Sequence, residues 1–332
     1  MRLTEGGTAL LTEFMGESVI VQNLLREALV AARGGDRPIL ITGPVGAGKS
    51  HLARYIHRES PRVRGPLVFV DCGSMPELDN VLFGHRSGAF TGATYNLGGR
   101  LKQADRGVLV LDDFERLNPQ QQDRFHRVLV DGSYYPIGSD SEVSIDVRFI
   151  ATTNKDPQKE IELGRLKPDF LSRLNYFELR VPSLDQRPDD IPSLCVELLR
   201  LNLEELIGKG IRSNSPIAFD EDCWPAIQAR EFNDNVRGLD KLIVRLIAHI
   251  GDRKLITPSD IEVVCPCPWN ASTVPWFDQP TSLRKVRDLA ERHYILEVCR
   301  HSGFNLRRSA RILEISPKSL YAKLKQYGIS RP

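Results

Sequence analysis

The chain has 332 residues, of which 41% are hydrophobic and 27% charged, and its formal net charge is +2. These proportions fit a folded globular protein of two or three domains. They leave no apolar run near the ~18 residues of a membrane span, and the first fifteen residues lack the apolar core of a secretory signal. Of the six scattered cysteines only Cys265 and Cys267 are close together, with no second pair and no nearby His, so a zinc site is not expected. A reduced, cytoplasmic protein without a membrane partner is the expectation. The small net charge hides an asymmetry. From Thr281 onward there are twelve Lys and Arg against four Asp and Glu, a net of +8 that leaves −6 for the rest. A basic terminal module on a mildly acidic body points to nucleic acid.

In chain order, Ser18 to Ala32 reads as an amphipathic helix, with Val21, Leu24, Leu25, Ala28 and Leu29 on one face. The stretch before it is too short for a separate sensory domain. Pro38–Thr42 is a short apolar strand. It runs into Gly43-Pro44-Val45-Gly46-Ala47-Gly48-Lys49-Ser50, a G-x-x-x-x-G-K-S phosphate loop, and a helical pattern follows at Leu52, Tyr55 and Ile56. Strand, glycine loop and helix is the order this motif needs. The glycines let backbone N–H groups wrap phosphate oxygens at a helix N-terminus. Lys49 is expected to reach the β and γ phosphates and Ser50 to ligate Mg²⁺.

Pro66–Val70 is a second strand, ending at Asp71. Arg106–Asp113 is a third, whose apolar run delivers Asp112 to the metal shell and Asp113 towards the attacking water. Val147–Asn154 is a fourth. In open α/β sheets ligands sit beyond the strands' C-terminal ends. Asp71, Asp112, Asp113, Thr153 and Asn154 all fall there, although Thr153 and Asn154 equally suit a loop cap. Between the second and third strands lies Gly88-Ala89-Phe90-Thr91-Gly92-Ala93, too glycine-rich for a core strand. It reads as a loop with Phe90 and Thr91 at its tip, or as a glycine turn with Phe90 tucked inward.

Together these stretches resemble the AAA+ ATPase domain of bacterial sigma-54-dependent activators, the enhancer-binding proteins. The GAFTGA signature at Gly88–Ala93, preceded by Leu82-Phe83-Gly84-His85, carries the resemblance, which runs from about Leu11 to the C-terminus. It implies an α/β fold in which a P-loop domain with a parallel sheet (1–182) is followed by a small α-helical lid (183–264). It further implies ATP and Mg²⁺ as cofactors, hydrolysis between subunits of a hexameric ring, and engagement of sigma-54 RNA polymerase by the 88–93 loop. Arg173, in Asp169–Leu174, resembles an arginine finger acting on the neighbouring subunit's nucleotide, with Lys167 at the first of two such positions. Arg237, after Asn235-Val236, resembles the lid's sensor arginine. Leu179–Ile191 resembles the passage into the lid, where helices are expected around Ile191–Leu206, Cys223–Gln228 and Val236–Gly251.

The chain departs from the family pattern at the reaction centre. Asp113 stands where the family has Glu, Asp71 where it has the Asn that restrains that Glu, Arg86 where it has Glu, and Lys167 where it has Arg. An aspartate sets its carboxylate back by about 1.5 Å, and a misplacement near 1 Å costs on the order of 100-fold in rate. Asp71 and Asp113 would repel or share a proton. The expectation is slow hydrolysis with binding intact, or work beside a more active partner subunit.

Residues 265–280 hold four prolines and read as a linker. In the tail (281–332), Leu283–Cys299 is an amphipathic helix and Asn305–Leu313 a second, with Leu306, Ala310 and Leu313 inward. A third starts at Ser316-Pro317, with Leu320 and Leu324 inward. This is a helix-turn-helix. It resembles the Fis-type module of the same activators, with Glu314 where the turn usually has Gly. Lys318, Ser319 and Ala322 are expected to face base edges, and Arg307, Arg308, Lys323 and Lys325 to hold phosphates. The reading is an ATP-driven sigma-54 activator binding enhancer DNA, as a ring that is dimeric at rest or mixed with a related activator, under control of a separate protein such as a negative regulator or of its expression level. Its rival is a hydrolysis-weak, ATP-binding DNA-binding regulator.

Overall fold

In a computed structural model of the chain the described residues are 14, 16–73, 78–89, 94–212 and 216–266, and, further on, 291–292, 294–295, 298–299, 302, 305–313 and 315–327. They fall in two compact units, 1–266 and 267–332.

The first unit is built on a five-stranded parallel sheet. Its strands are β1 (Ile39–Thr42), β2 (Leu67–Asp71), β3 (Val108–Asp112), β4 (Arg148–Thr153) and β5 (Phe177–Arg180), in the order β2-β3-β4-β1-β5. The central strands are covered on both faces, which is why residues 39–41 and 108–111 are unbroken apolar runs. Helix α1 (Val19–Arg33) buries Val21, Leu24 and Ala28 as its spacing predicts, and packs with α2 (Lys49–Glu59) on one face of the sheet. The other face carries Leu82, Phe83, Phe125, Phe149 and Phe170. Register aligns the strand ends: Asp71 pairs with Asp112, and Thr42 with Thr153. Strand β5 extends the expectation, which treated Leu179-Arg180 only as passage into the lid. It is an edge strand whose alternation is four residues long, with Leu179 buried and Glu178 and Arg180 exposed.

Arg148, at the start of β4, is 1% exposed, and its guanidinium donates to the carbonyls of Ala31 (2.6 Å), Ala32 (2.7 Å) and Arg37 (3.1 Å). It thereby supplements the Gly34 amide on Ala31 O (3.3 Å) and supplies a donor to the Ala32 carbonyl at the C-terminus of α1.

The lid has its own core of Leu194, Leu198, Ile227, Leu239, Ile243, Leu246 and Ile261. Its helices are α3 (Ile191–Gly208), α4 (Cys223–Gln228), α5 (Asn235–Ile250) and α6 (Pro258–Val264). The last goes beyond the sequence reading. Its start is fixed by Asp260, whose carboxylate accepts from Thr257 N (2.9 Å), Thr257 Oγ1 (2.8 Å) and Arg253 (2.6 Å) and is 4% exposed. Burial pushes this carboxyl up, but the hydrogen bonds from Arg253 and Thr257 outweigh that and hold it at about 2, against an ordinary 3.8. A lowered folded value contributes stability that is complete above about pH 5 and is lost as pH falls through 2. Asp260→Asn is therefore expected to cost about 1 kcal/mol more at pH 7 than at pH 3, read from urea unfolding followed by tryptophan fluorescence. An equal cost at both pH values would disprove the assignment.

The second unit packs Ile295 and Cys299, both helical, against Ala310 and Leu320 of α7 (Leu306–Ile312) and α8 (Pro317–Gln326). Asn305 and Ser316 cap the two helices, accepting from the amides of Arg308 and Ser319. Leu306, expected inward, is 41% exposed because it occupies the first turn, ahead of the core contact at Ala310. Leu313 and Leu324 pack as expected, and Ile315 joins them. Glu314, residues 283–290 and all but the first two residues of the expected linker lie outside the described residues.

Candidate functional site

The phosphate loop leaves β1 at the centre of the sheet. Gly48, at φ 110°, is the residue before α2, and no side chain caps that helix. The His51 amide donates to Gly48 O (3.0 Å), and the amides of Lys49 and Ser50 are left to a ligand or to solvent. Gly46, at φ 72°, lies so close to the lid that a Cβ would overlap the Asp234 carbonyl oxygen. Lys49 is 8% exposed, and its ammonium donates to the loop's own carbonyls at Gly43 (2.9 Å) and Pro44 (3.1 Å). Desolvation pushes its pKa down, while the charges of Asp112, Asp113 and Glu115 push it up and Arg237 pushes it down. These five side chains therefore share one electrostatic site.

The carbonyl side of the loop is held by the lid. Asn235, buried and at φ 51°, donates its side-chain amide to Val45 O (2.8 Å) and accepts from Leu184 N (2.7 Å). The Val236 amide donates to Gly46 O (3.1 Å), and Arg187, 1% exposed, donates to Ala47 O (2.6 Å). Arg237 is exposed, with its Cβ beside Gly46. Sequence reading named Arg237 and missed Asn235 and Arg187, whose roles rest on contacts from distant chain segments.

At the end of β4, three successive residues each engage one acid. Thr152 Oγ1 donates to Asp112 Oδ1, the Thr153 hydroxyl hydrogen-bonds Glu115, and Asn154 Nδ2 donates to Asp113 Oδ1 (3.2 Å). Thr153 and Asn154 are thus part of the site, and the Thr153 hydroxyl also accepts from Lys155 N (3.0 Å). Burial raises the Asp112 pKa against the lowering effect of its hydrogen bond from Thr152. Asp113 sits in the left-handed region at φ 52°, and its Oδ2 is 3.6 Å from Arg116 Nε. Asp71 Oδ1 accepts from Gly73 N (2.7 Å), and the Arg116 side chain lies over Gly73. The expected repulsion or shared proton between Asp71 and Asp113 is met differently, by a guanidinium beside Asp113. Glu115 and Arg116 escaped the sequence reading because no motif assigns a role three or four residues after Asp112. The one available signal was a Glu set between Phe114 and Leu117, both of them buried.

Gly84-His85 pairs antiparallel with Leu97-Gly98 to form the base of the glycine-rich segment. Ile137 braces that base, donating to Gly84 O (3.0 Å) and accepting from Arg86 N (3.0 Å). Gly88 is at φ 85°, and Ala89 N donates to Arg86 O (3.1 Å). Phe90, Thr91, Gly92 and Ala93 lie outside the described residues.

Arg173 is exposed in the last turn of a helix, Pro168–Leu174. Lys167 immediately precedes that helix, and its ammonium binds both Asp123 oxygens (2.6 and 2.7 Å). Neither side chain joins the cluster around Lys49. In the second unit Arg307, Arg308, Lys318, Ser319, Ala322 and Lys325 are exposed. Lys323 is not a free phosphate contact: it is half-buried and paired with Glu291, which also accepts from Tyr327 Oη (2.7 Å).

Residues 14–180 match the model of the Sigma-54 interaction domain, and residues 286–327 that of the bacterial regulatory protein, Fis family. The chain is similar to the anaerobic nitric oxide reductase transcription regulator NorR of Escherichia coli, with 33% identity over 333 residues, 96% of this chain and 63% of NorR. It thus spans less than two thirds of that relative's length. Among solved structures it is similar to NtrX from Brucella abortus in complex with ATP (TM-score 0.65, 29% identity, 96% of this chain and 69% of that one). The ADP complex is likewise similar (TM-score 0.69, 28% identity, 96% and 70%).

Proposed function

The chain belongs to the sigma-54 interaction domain family and carries a Fis-type helix-turn-helix, and from that premise we propose that it is an ATP-driven activator of sigma-54 RNA polymerase. The observation that carries this reading is the set of three acids gathered with Lys49 and Arg237 beside an uncapped helix N-terminus. That donor set fits Mg-ATP: a cradle of glycines for phosphates, a lysine, a hydroxyl at Ser50 and a carboxylate at Asp112. NtrX, solved with ATP and with ADP, is similar over 96% of this chain.

When bound, Mg-ATP supplies a phosphoryl group whose transfer to water releases free energy. The backbone of Gly43–Gly48 and the Lys49 ammonium would hold its phosphates, and Ser50 and Asp112 its metal. Arg237 brings a lid charge to the same site. Asp113, restrained by Asn154, keeps a carboxylate at the strand end. Arg173, exposed and outside the cluster, would complete the site of a neighbouring copy in a ring. The 88–93 loop would then act on sigma-54, and Arg307, Arg308, Lys318, Ser319, Ala322 and Lys325 would hold enhancer DNA.

A second reading, an ATP-binding regulator with weak hydrolysis or the less active subunit of a mixed ring, draws on the short Asp113 and on Lys167 being tied to Asp123. Turnover per protomer measured against protein concentration separates the two. A self-sufficient ring is expected to show turnover that rises with concentration. Arg173→Ala should keep ATP affinity and lose on the order of 1,000-fold in turnover, as finger arginines do. Turnover that is independent of concentration, or unchanged in Arg173→Ala, would remove the shared site.

A further inference from the structure

The phosphate-loop site holds one acid that its motif does not account for. Glu115 follows Asp113 by two residues on a short 3-10 turn (Phe114–Arg116) and is 9% exposed. Its Oε2 is buried with no hydrogen-bond partner. A buried carboxylate oxygen left unpaired is costly and calls for an explanation. The charge of Glu115 raises the Lys49 pKa, and the Thr153 hydroxyl lowers that of Glu115. Asp113 differs. It is one methylene shorter, and both its oxygens have neighbours, Asn154 on one and Arg116 on the other. The longer acid with the open oxygen is Glu115.

We propose that Glu115, rather than Asp113, is the carboxylate that positions and deprotonates the attacking water in this site. The assignment rests on the ATPase reading above. Glu115 Oε2 accepts a hydrogen bond from the water and takes its proton as the new phosphorus–oxygen bond forms. The bond to the leaving diphosphate oxygen breaks, and its electron pair leaves with the diphosphate. Burial, together with the charge of Asp113, raises the Glu115 pKa from its ordinary value against the lowering effect of Thr153. A raised value makes it a stronger base than an exposed glutamate.

The test compares Glu115→Gln, Glu115→Asp and Asp113→Asn in the full chain. Steady-state turnover is measured beside the affinities for Mg-ADP and for Mg-ADP with aluminium fluoride, a mimic of the transferring phosphoryl group. A residue that acts on the water contributes to the mimic and not to ADP. Glu115→Gln is expected to keep ADP affinity within about threefold, to lose about 100-fold in turnover, and to lose the tighter binding of the mimic. Glu115→Asp, which keeps the acid but sets it back, should lose at least tenfold in turnover at unchanged ADP affinity. Asp113→Asn should lose less than Glu115→Gln. Wild-type turnover in either Glu115 variant, or a larger loss in Asp113→Asn, overturns the assignment. So does a Glu115→Gln loss that appears equally in ADP affinity, which marks a structural role. Wild-type protein that binds ATP yet turns over no faster than Lys49→Ala overturns the hydrolysis reading itself, and this assignment with it.

Discussion

Lys49→Ala is expected to weaken ATP binding by at least 100-fold, about 2.7 kcal/mol, and to bring turnover to background. Lys49 is a cation set against three carboxylates, with Arg237 the other positive charge acting on it. Its ammonium rests on the Gly43 and Pro44 carbonyls, at the mouth of the loop that the phosphates would occupy. Removing it leaves Asp112, Asp113 and Glu115 facing an incoming polyanion with one fewer compensating charge. The fold should tolerate the change, because the two carbonyls it releases belong to a loop that water reaches. Calorimetric titration with Mg-ATP gives the affinity, and urea unfolding separates binding from folding. An affinity within threefold of wild type would remove Lys49 from the phosphate contacts.

The largest expected effect on stability lies at the other end of the sheet. Arg148→Met should cost about 4 kcal/mol, from charged hydrogen bonds worth roughly 1.5–3 kcal/mol each less what relaxation recovers. The guanidinium reaches the carbonyls of Ala31, Ala32 and Arg37 at once, and no other side-chain donor to these carbonyls is present among the described residues. Burial pushes its pKa down and the charge of Asp36 pushes it back up. Methionine fills similar volume but removes the donor from the Ala32 and Arg37 carbonyls and leaves the Ala31 carbonyl with the Gly34 amide alone (3.3 Å). Arg148→Lys keeps the charge but has no planar fork, and should recover less than half of the loss. Urea unfolding at neutral pH reads both. A cost below about 1 kcal/mol for Arg148→Met would mean that the carbonyls find water.

The sheet's first four strands and the phosphate loop were legible because each is a local signal: an apolar run of four or five residues, or a motif with fixed spacing. Strand β5 was not, since only Phe177 and Leu179 face inward and Val-Pro-Ser follows at once. At the site, motif positions found Lys49 and Asp112, and the register of β4 found Thr153 and Asn154. What stayed hidden is what folding assembles from afar. Asn235 reads as a helix neighbour until it bridges Val45 and Leu184, and Arg187 until it reaches Ala47. Lys167 reads as a free cation until Asp123 lies beside it, as does Lys323 until Glu291 does. Glu115 was passed over because a charge between two core residues has no meaning until its burial is known.

The crowding at Gly46 bears on how such chains are inherited. Its missing side chain makes room for the Asp234 carbonyl of the lid, a demand of folding that would persist with no nucleotide present. A descendant that had abandoned ATP would still be selected for glycine at this position, while Lys49 and Glu115 would be free to drift. In comparing lineages, the retained glycine therefore reports that loop and lid remain docked. The lysine and the glutamate are the positions whose loss would mark a silent site.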